Sequence, residues 1–129
     1  MEDAQKALGI AAAIGKLDVG QAVVVAGGVV LAVEAQEGTQ AMLRRIPLLH
    51  APLRGTAGAR KGVLAKLAKP IQDVRLDMPT IGVATVDDAA EAGLCGIVAH
   101  SHHLLIVDKP AVFARAAEKG VFIYGHDDN

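Results

Sequence analysis

AVVVAGGVVLAVEA, residues 22–35, sets two runs of small and β-branched residues on either side of Gly27-Gly28. Adjacent glycines accept positive φ at both central positions of a tight turn, so the stretch predicts a hairpin of two antiparallel strands. Such a pair rules out a purely parallel sheet. Upstream, residues 2–14 are rich in helix formers and carry Glu2 and Asp3 where acids complement the helix dipole, which predicts a helix ended by Gly15. Downstream, Thr39 stands as N-cap of a helix to Ile46, with Pro47 as its stop.

The remaining chain continues the alternation. Residues 47–61 hold two prolines, two glycines and the cations Arg54, Arg60 and Lys61, a composition that predicts a mobile basic loop. Residues 62–69 open like a strand, although 65–69 also suit a helix. Thr85-Val86-Asp87-Asp88 has the form of a helix start, with Gly93 as its stop. Residues 95–100 and 103–108 read as two strands joined by a hairpin turn. Asp108-Lys109-Pro110 opens a helix ending at Gly120, and residues 121–125 form a closing strand. The sum is a single α/β domain: a mixed β-sheet with hairpins and short flanking helices.

The totals bound function. A chain of 129 residues suits one domain, and a formal charge of −1 supplies no basic field for sequence-independent nucleic-acid binding. The aromatic residues Phe113, Phe122 and Tyr124 all lie near the C-terminal end, so no row of stacking platforms is spread along the chain. The lone Cys95 has no partner for an internal disulfide and sits in an apolar run, as a small buried hydrophobe in a reducing compartment. No secretory leader opens the chain, and no apolar run approaches the roughly 20 residues of a spanning helix, so a soluble cytoplasmic protein is expected.

Charge concentrates in KPIQDVRLDMPTIG, residues 69–82. From Pro70 to Pro79 the residues alternate, with Val74, Leu76 and Met78 on one side and Asp73, Arg75 and Asp77 on the other, the period of a short strand. A straight strand separates Asp73 from Asp77 by about 13 Å at Cα, too far to share one ion. On a helix or tight bend the pair would be about 6 Å apart, so a shared cation requires the chain to fold back near Arg75. The pattern admits a solvated edge strand with Arg75 paired to its neighbours. It also admits a phosphate-and-metal site in which carboxylates hold a hard cation and Lys or Arg neutralises phosphate oxygens.

With Asp18-Val19-Gly20-Gln21 and Glu34-Ala35-Gln36-Glu37-Gly38-Thr39 before it, this block makes the chain similar, from about Leu8 to Gly125, to the C-terminal domain of the LpxI-type UDP-2,3-diacylglucosamine pyrophosphatases. The resemblance implies that residues 1–129 correspond to that domain and that the family's N-terminal domain is not among them. It further implies hydrolysis of a UDP-diacylglucosamine lipid to UMP and 2,3-diacylglucosamine 1-phosphate (lipid X) in lipid A biosynthesis, with magnesium (Mg2+) or another divalent cation. It implies a cytoplasmic protein peripheral to the inner membrane, in a homodimer.

Carried over by position, the family's acidic motif falls on Asp73 and Asp77 as catalytic and metal-holding residues. Lys69, Gln72, Arg75, Asp18, Gln21, Glu34, Glu37, Gly38 and Thr39 fall on substrate-binding positions, with Thr39 at a helix N-terminus where phosphate is welcome. Gln40 stands where the family commonly has Asp, which removes a charge there. A non-catalytic nucleotide-sugar or lipid-phosphate binding module is the alternative. His100 and His102 lie two apart, yet a third ligand is not evident and an exposed loop is expected. Residues 126–129 read as a frayed tail, and 55–62 do not meet the phosphate-loop pattern.

Overall fold

The computed structural model describes residues 2–70, 76–77, 79–100 and 104–126. In chain order the helices are α1 (Glu2–Lys16), α2 (Thr39–Arg45), α3 (Val83–Glu91) and α4 (Lys109–Lys119). The strands are β1 (Ala22–Ala26), β2 (Val29–Val33), β3 (Val63–Lys66), β4 (Lys69–Pro70), β5 (Leu76–Asp77), β6 (Thr80–Ile81), β7 (Gly96–His100), β8 (Leu105–Ile106) and β9 (Phe122–His126).

The glycine hairpin forms as its sequence requires: Gly27 and Gly28 have φ of 57° and 78°, and Ala26 pairs with Val29. Asp3 in the first turn of α1 accepts both turn amides, from Gly27 N–H and Gly28 N–H at 2.9 Å each. Its acid therefore serves the hairpin as well as the helix dipole.

Five strands form the main sheet in the order β2-β1-β3-β7-β9. β1 runs antiparallel to both neighbours, while β3, β7 and β9 are mutually parallel, so the sheet is mixed. All five residues of β1 are buried because both faces are covered. On one face α1 lays down Ala4, Ala7, Leu8 and Ala11, a helical stripe of mostly small residues, against Val23, Val25, Val63, Ala65 and Val98. On the other face Val24, Leu64 and Ile97 meet Met42, Leu43, Val86, Ala89, Val112 and Ala116 from α2, α3 and α4. The domain is thus a three-layer α/β/α sandwich with two aliphatic cores.

Several local expectations are corrected. α1 runs through Gly15 to Lys16, and the chain turns at Asp18, whose φ is 58°. Thr39 is the first helical residue, not the cap; Gly38, at φ 88°, precedes it, and Pro47 sits inside a 3-10 turn, Ile46–Leu48. α3 begins at Val83, two residues before Thr85, whose hydroxyl reaches back to accept Gly82 N–H at 3.2 Å. The basic segment 47–61 is tied down through its cations. Arg54 donates to Leu49 O, Lys61 to Pro52 O, and Arg60 to Ala90 O in the last turn of α3 and to Leu94 O just beyond it, where a cation complements the helix dipole.

The largest departures concern pairing. β7 and β8 do not form a hairpin; β8 pairs in parallel with β6 as a separate two-stranded sheet. His126 belongs to β9, opposite His100, instead of starting a tail. Cys95 is half-buried. Residues 65–66 are strand, as part of β3. One straight strand from Pro70 to Pro79 is excluded, because Pro70 and Leu76 face each other in two antiparallel strands.

Candidate active site

One end of the main sheet gathers what the sequence scatters. The parallel strands β3, β7 and β9 all finish there, at Lys66, His100 and His126. β1 begins there, with Ala22 opposite Lys66, and β2 ends there, with Glu34 N–H bonded to Ala22 O at 2.9 Å. Asp18 and Gln21 precede β1, and Gln21 O accepts Leu67 N–H at 2.9 Å just before β4. In open α/β sheets the crevice beyond the carboxyl ends of parallel strands is the usual place for ligands.

Glu34 is the hub of this end. It is buried, 7% exposed, and each carboxylate oxygen has a donor from a different motif block. Oε1 accepts Gln21 N–H at 2.9 Å, and Oε2 accepts the Thr39 hydroxyl at 2.8 Å. Gly20 supports the arrangement by its size, since a Cβ there would run into the Glu34 carbonyl. The Asp-x-Gly-Gln and Glu-x-x-Glu-Gly-Thr blocks are therefore one structural unit, with the glycine needed for close approach.

Glu37 serves the turn between β2 and α2. Oε1 accepts Ala35 N–H at 2.8 Å and Oε2 pairs with Arg45 at 2.8 Å, while Arg45 also donates to Val33 O. The Ala35 amide, then its own backbone amide and the nearby Arg45 charge, hold its carboxyl below the ordinary range. Glu37 is thus a turn-forming residue in this arrangement. Thr39 and Gln40 line a cavity of about 200 Å³ with Leu43, Ala84, Thr85 and Asp88.

Lys66, which belongs to none of the motif blocks, lies 8% exposed at the last position of β3. Its Nζ donates to Thr80 O at 2.9 Å. Burial lowers its pKa, and the Glu34 charge opposes that shift. A signal for it exists in the sequence: Lys66 is a lysine inside an otherwise apolar buried run from Val63 to Leu67. A charge placed there must have partners waiting.

The acidic block is attached directly to this end. β4 and β5 pair antiparallel, with Lys69 opposite Asp77 and Pro70 opposite Leu76, so the chain reverses between 70 and 76. Gln72, Asp73 and Arg75 lie outside the described residues, as does His102. Among the described residues no three His, Cys, Asp or Glu side chains are grouped to hold a metal. His100 and His126 sit side by side with ring centroids 6.1 Å apart. Among the described residues no helix is long and apolar enough to cross a membrane.

Comparison with known proteins places the chain in a family. The LpxI C-terminal domain family model matches residues 1–124. The UDP-2,3-diacylglucosamine pyrophosphatase LpxI of Caulobacter vibrioides is 58% identical over 127 residues, covering 98% of this chain and 45% of that relative. The chain thus spans about half the length of the curated relative it matches. With three motif blocks joined at one sheet end and a family match across nearly all its residues, the chain belongs to the LpxI C-terminal domain family.

Proposed function

We propose that the chain is the part of a UDP-2,3-diacylglucosamine diphosphatase that carries the reacting groups, acting in lipid A biosynthesis. The observation that carries this reading is the meeting of the Glu34 hub, Lys66 and the β4–β5 hairpin at one sheet end. The relative's name supplies the substrate class. In the reaction, water attacks one phosphorus of the diphosphate and the bridging P–O bond breaks. UMP and 2,3-diacylglucosamine 1-phosphate leave, each keeping one phosphate.

Asp73 and Asp77 would hold a hard divalent cation such as Mg2+, which would neutralise charge on the diphosphate oxygens. Carboxylates suit that ion. Glu34 and Glu37 have both oxygens engaged by protein donors and are less suited to it. Lys69 and Arg75 would meet phosphate oxygens, Arg75 by a fork of two N–H donors. Gln72, Asp18, Gln21, Gly38 and Thr39 would border the substrate, and the acidic pair would orient the attacking water. The site would work in the cytoplasm at the inner-membrane surface, with the family's N-terminal domain closing over the lipid and positioning it.

The test is UMP release with magnesium by the chain alone and by the chain mixed with the N-terminal half of the Caulobacter vibrioides relative. Release by the mixture supports the reading. Tight binding of the UDP-lipid without release by either preparation would instead favour a non-catalytic binding module.

A further inference from the structure

His100 and His126 end β7 and β9, and the parallel register sets them directly opposite each other. Spacing along the chain gives no hint of this pair. Val98, two residues before His100, packs in the core beneath α1, so by the alternation of a strand both imidazoles lie on the α1 face of the sheet. Lys66 belongs to the other face, since it pairs with Ala99 and follows Ala65 of the α1-side core. Both histidines are half-buried, with ring centroids 6.1 Å apart and planes 35° from one another, and the Tyr124 ring stands 6.3 Å from that of His126. β9 is the last strand of the main sheet, so the pair sits at an open corner of it.

The distance bounds what two imidazoles can share. A metal–nitrogen bond of about 2.0–2.1 Å puts an ion about 3.2 Å from the centre of the ring that holds it, so two rings on one ion lie about 5.2 Å apart at the tetrahedral angle and at most about 6.4 Å apart. The observed 6.1 Å is inside that limit. Rotation of the rings covers the difference, because the outer torsion of histidine has broad minima and the ladder already fixes both backbones.

We propose that His100 and His126 form a two-imidazole site for a divalent transition-metal ion of the zinc class. Imidazole suits Zn2+, Ni2+ and Cu2+, whereas Mg2+ takes oxygen ligands, so the site is chemically distinct from a hard-cation site built of carboxylates. Water completes the coordination, and the bound ion fastens the end of β9 to β7. None of this depends on the diphosphatase reading.

The test is calorimetric titration of the chain with Zn2+ in a non-chelating buffer, paired with hydrogen exchange. Zn2+ should bind, and Mg2+ in about tenfold excess should not displace it. His126→Ala should weaken binding by about tenfold or more, because losing even a residue that merely supports a metal ligand costs about 10- to 100-fold in affinity. His126 is the decisive position, since His100 shares a run with His102 and His103. With Zn2+ at about 100 times its Kd, amides at the His126 end of β9 should exchange about tenfold more slowly, and those of β1 and β2 should not change. Absence of Zn2+ binding, unslowed exchange at that end of β9, or binding that survives His126→Ala at full strength would each overturn the proposal, the last by putting the ion on other histidines. Should His126→Ala not fold, His126→Gln carries the same comparison.

Discussion

The Thr39 hydroxyl donates to Oε2 of the buried Glu34 across 2.8 Å, joining the first turn of α2 to the end of β2. A hydroxyl at that place is a matter of stability as much as of ligand binding. Thr39→Val should cost about 1–3 kcal/mol, because it leaves a buried carboxylate oxygen short of a donor. Thr39→Ser should recover most of that loss. Urea unfolding of the three proteins measures it; equal midpoints for the parent and the Thr39→Val variant would show the bond to be idle.

The pH dependence of stability should carry the signature of Lys66. Its folded-state pKa lies below the ordinary 10.5 because burial disfavours the charged amine. The unfolded chain thus keeps its proton more tightly, and this group's contribution to stability rises as pH climbs from the folded value toward 10.5. Below that window the charged, buried amine is a constant cost. Subtracting the urea midpoints of Lys66→Met from those of the parent at each pH isolates the effect, and the difference should shift in the parent's favour toward pH 10.5.

Gly20 should tolerate no side chain. A Cβ at this position meets the Glu34 backbone carbonyl, and backbone cannot swing aside as a long side chain can. Gly20→Ala should lower stability by about 1–3 kcal/mol, the usual range for forcing atoms into a filled space. Thermal unfolding reads this directly. Slower turnover should accompany it, since the displaced carbonyl belongs to the hub residue.

Asp73 and Asp77 are the direct test of the chemistry. In the assembled enzyme, Asp73→Asn and Asp77→Asn should each lower kcat, and at least one should do so by about 10²-fold or more, the scale on which positioned acid–base groups act. UMP release with magnesium measures it. Normal turnover in both variants would remove the acidic pair from the mechanism.

Local stereochemistry makes part of this fold legible from residue order alone. Gly27-Gly28 dictates a hairpin because few residues accept positive φ twice in succession, and Pro110 and Gly120 mark the limits of α4 for equally local reasons. Family motifs then name three blocks without saying how they meet. Their meeting depends on partners far apart in the chain: Gln21 and Thr39 on Glu34, Lys66 on Thr80, and β8 on β6 in place of β7.

The alternation from 70 to 79 shows why such partners are not written in the sequence. A period of two reports which side chains share a face, but it carries no information about where a chain turns back, and Pro70 ends up opposite Leu76. Lys66 stands out in the sequence as a lysine in an apolar run, but its partners do not, since the Thr80 carbonyl and the Glu34 charge reach it only through folding. Sequence by itself determined the glycine hairpin, the principal helices and the family, because local backbone preferences and residue order are written along the chain. Tertiary structure alone decided the site, because burying a charge is tolerable only where folding has already brought its partners.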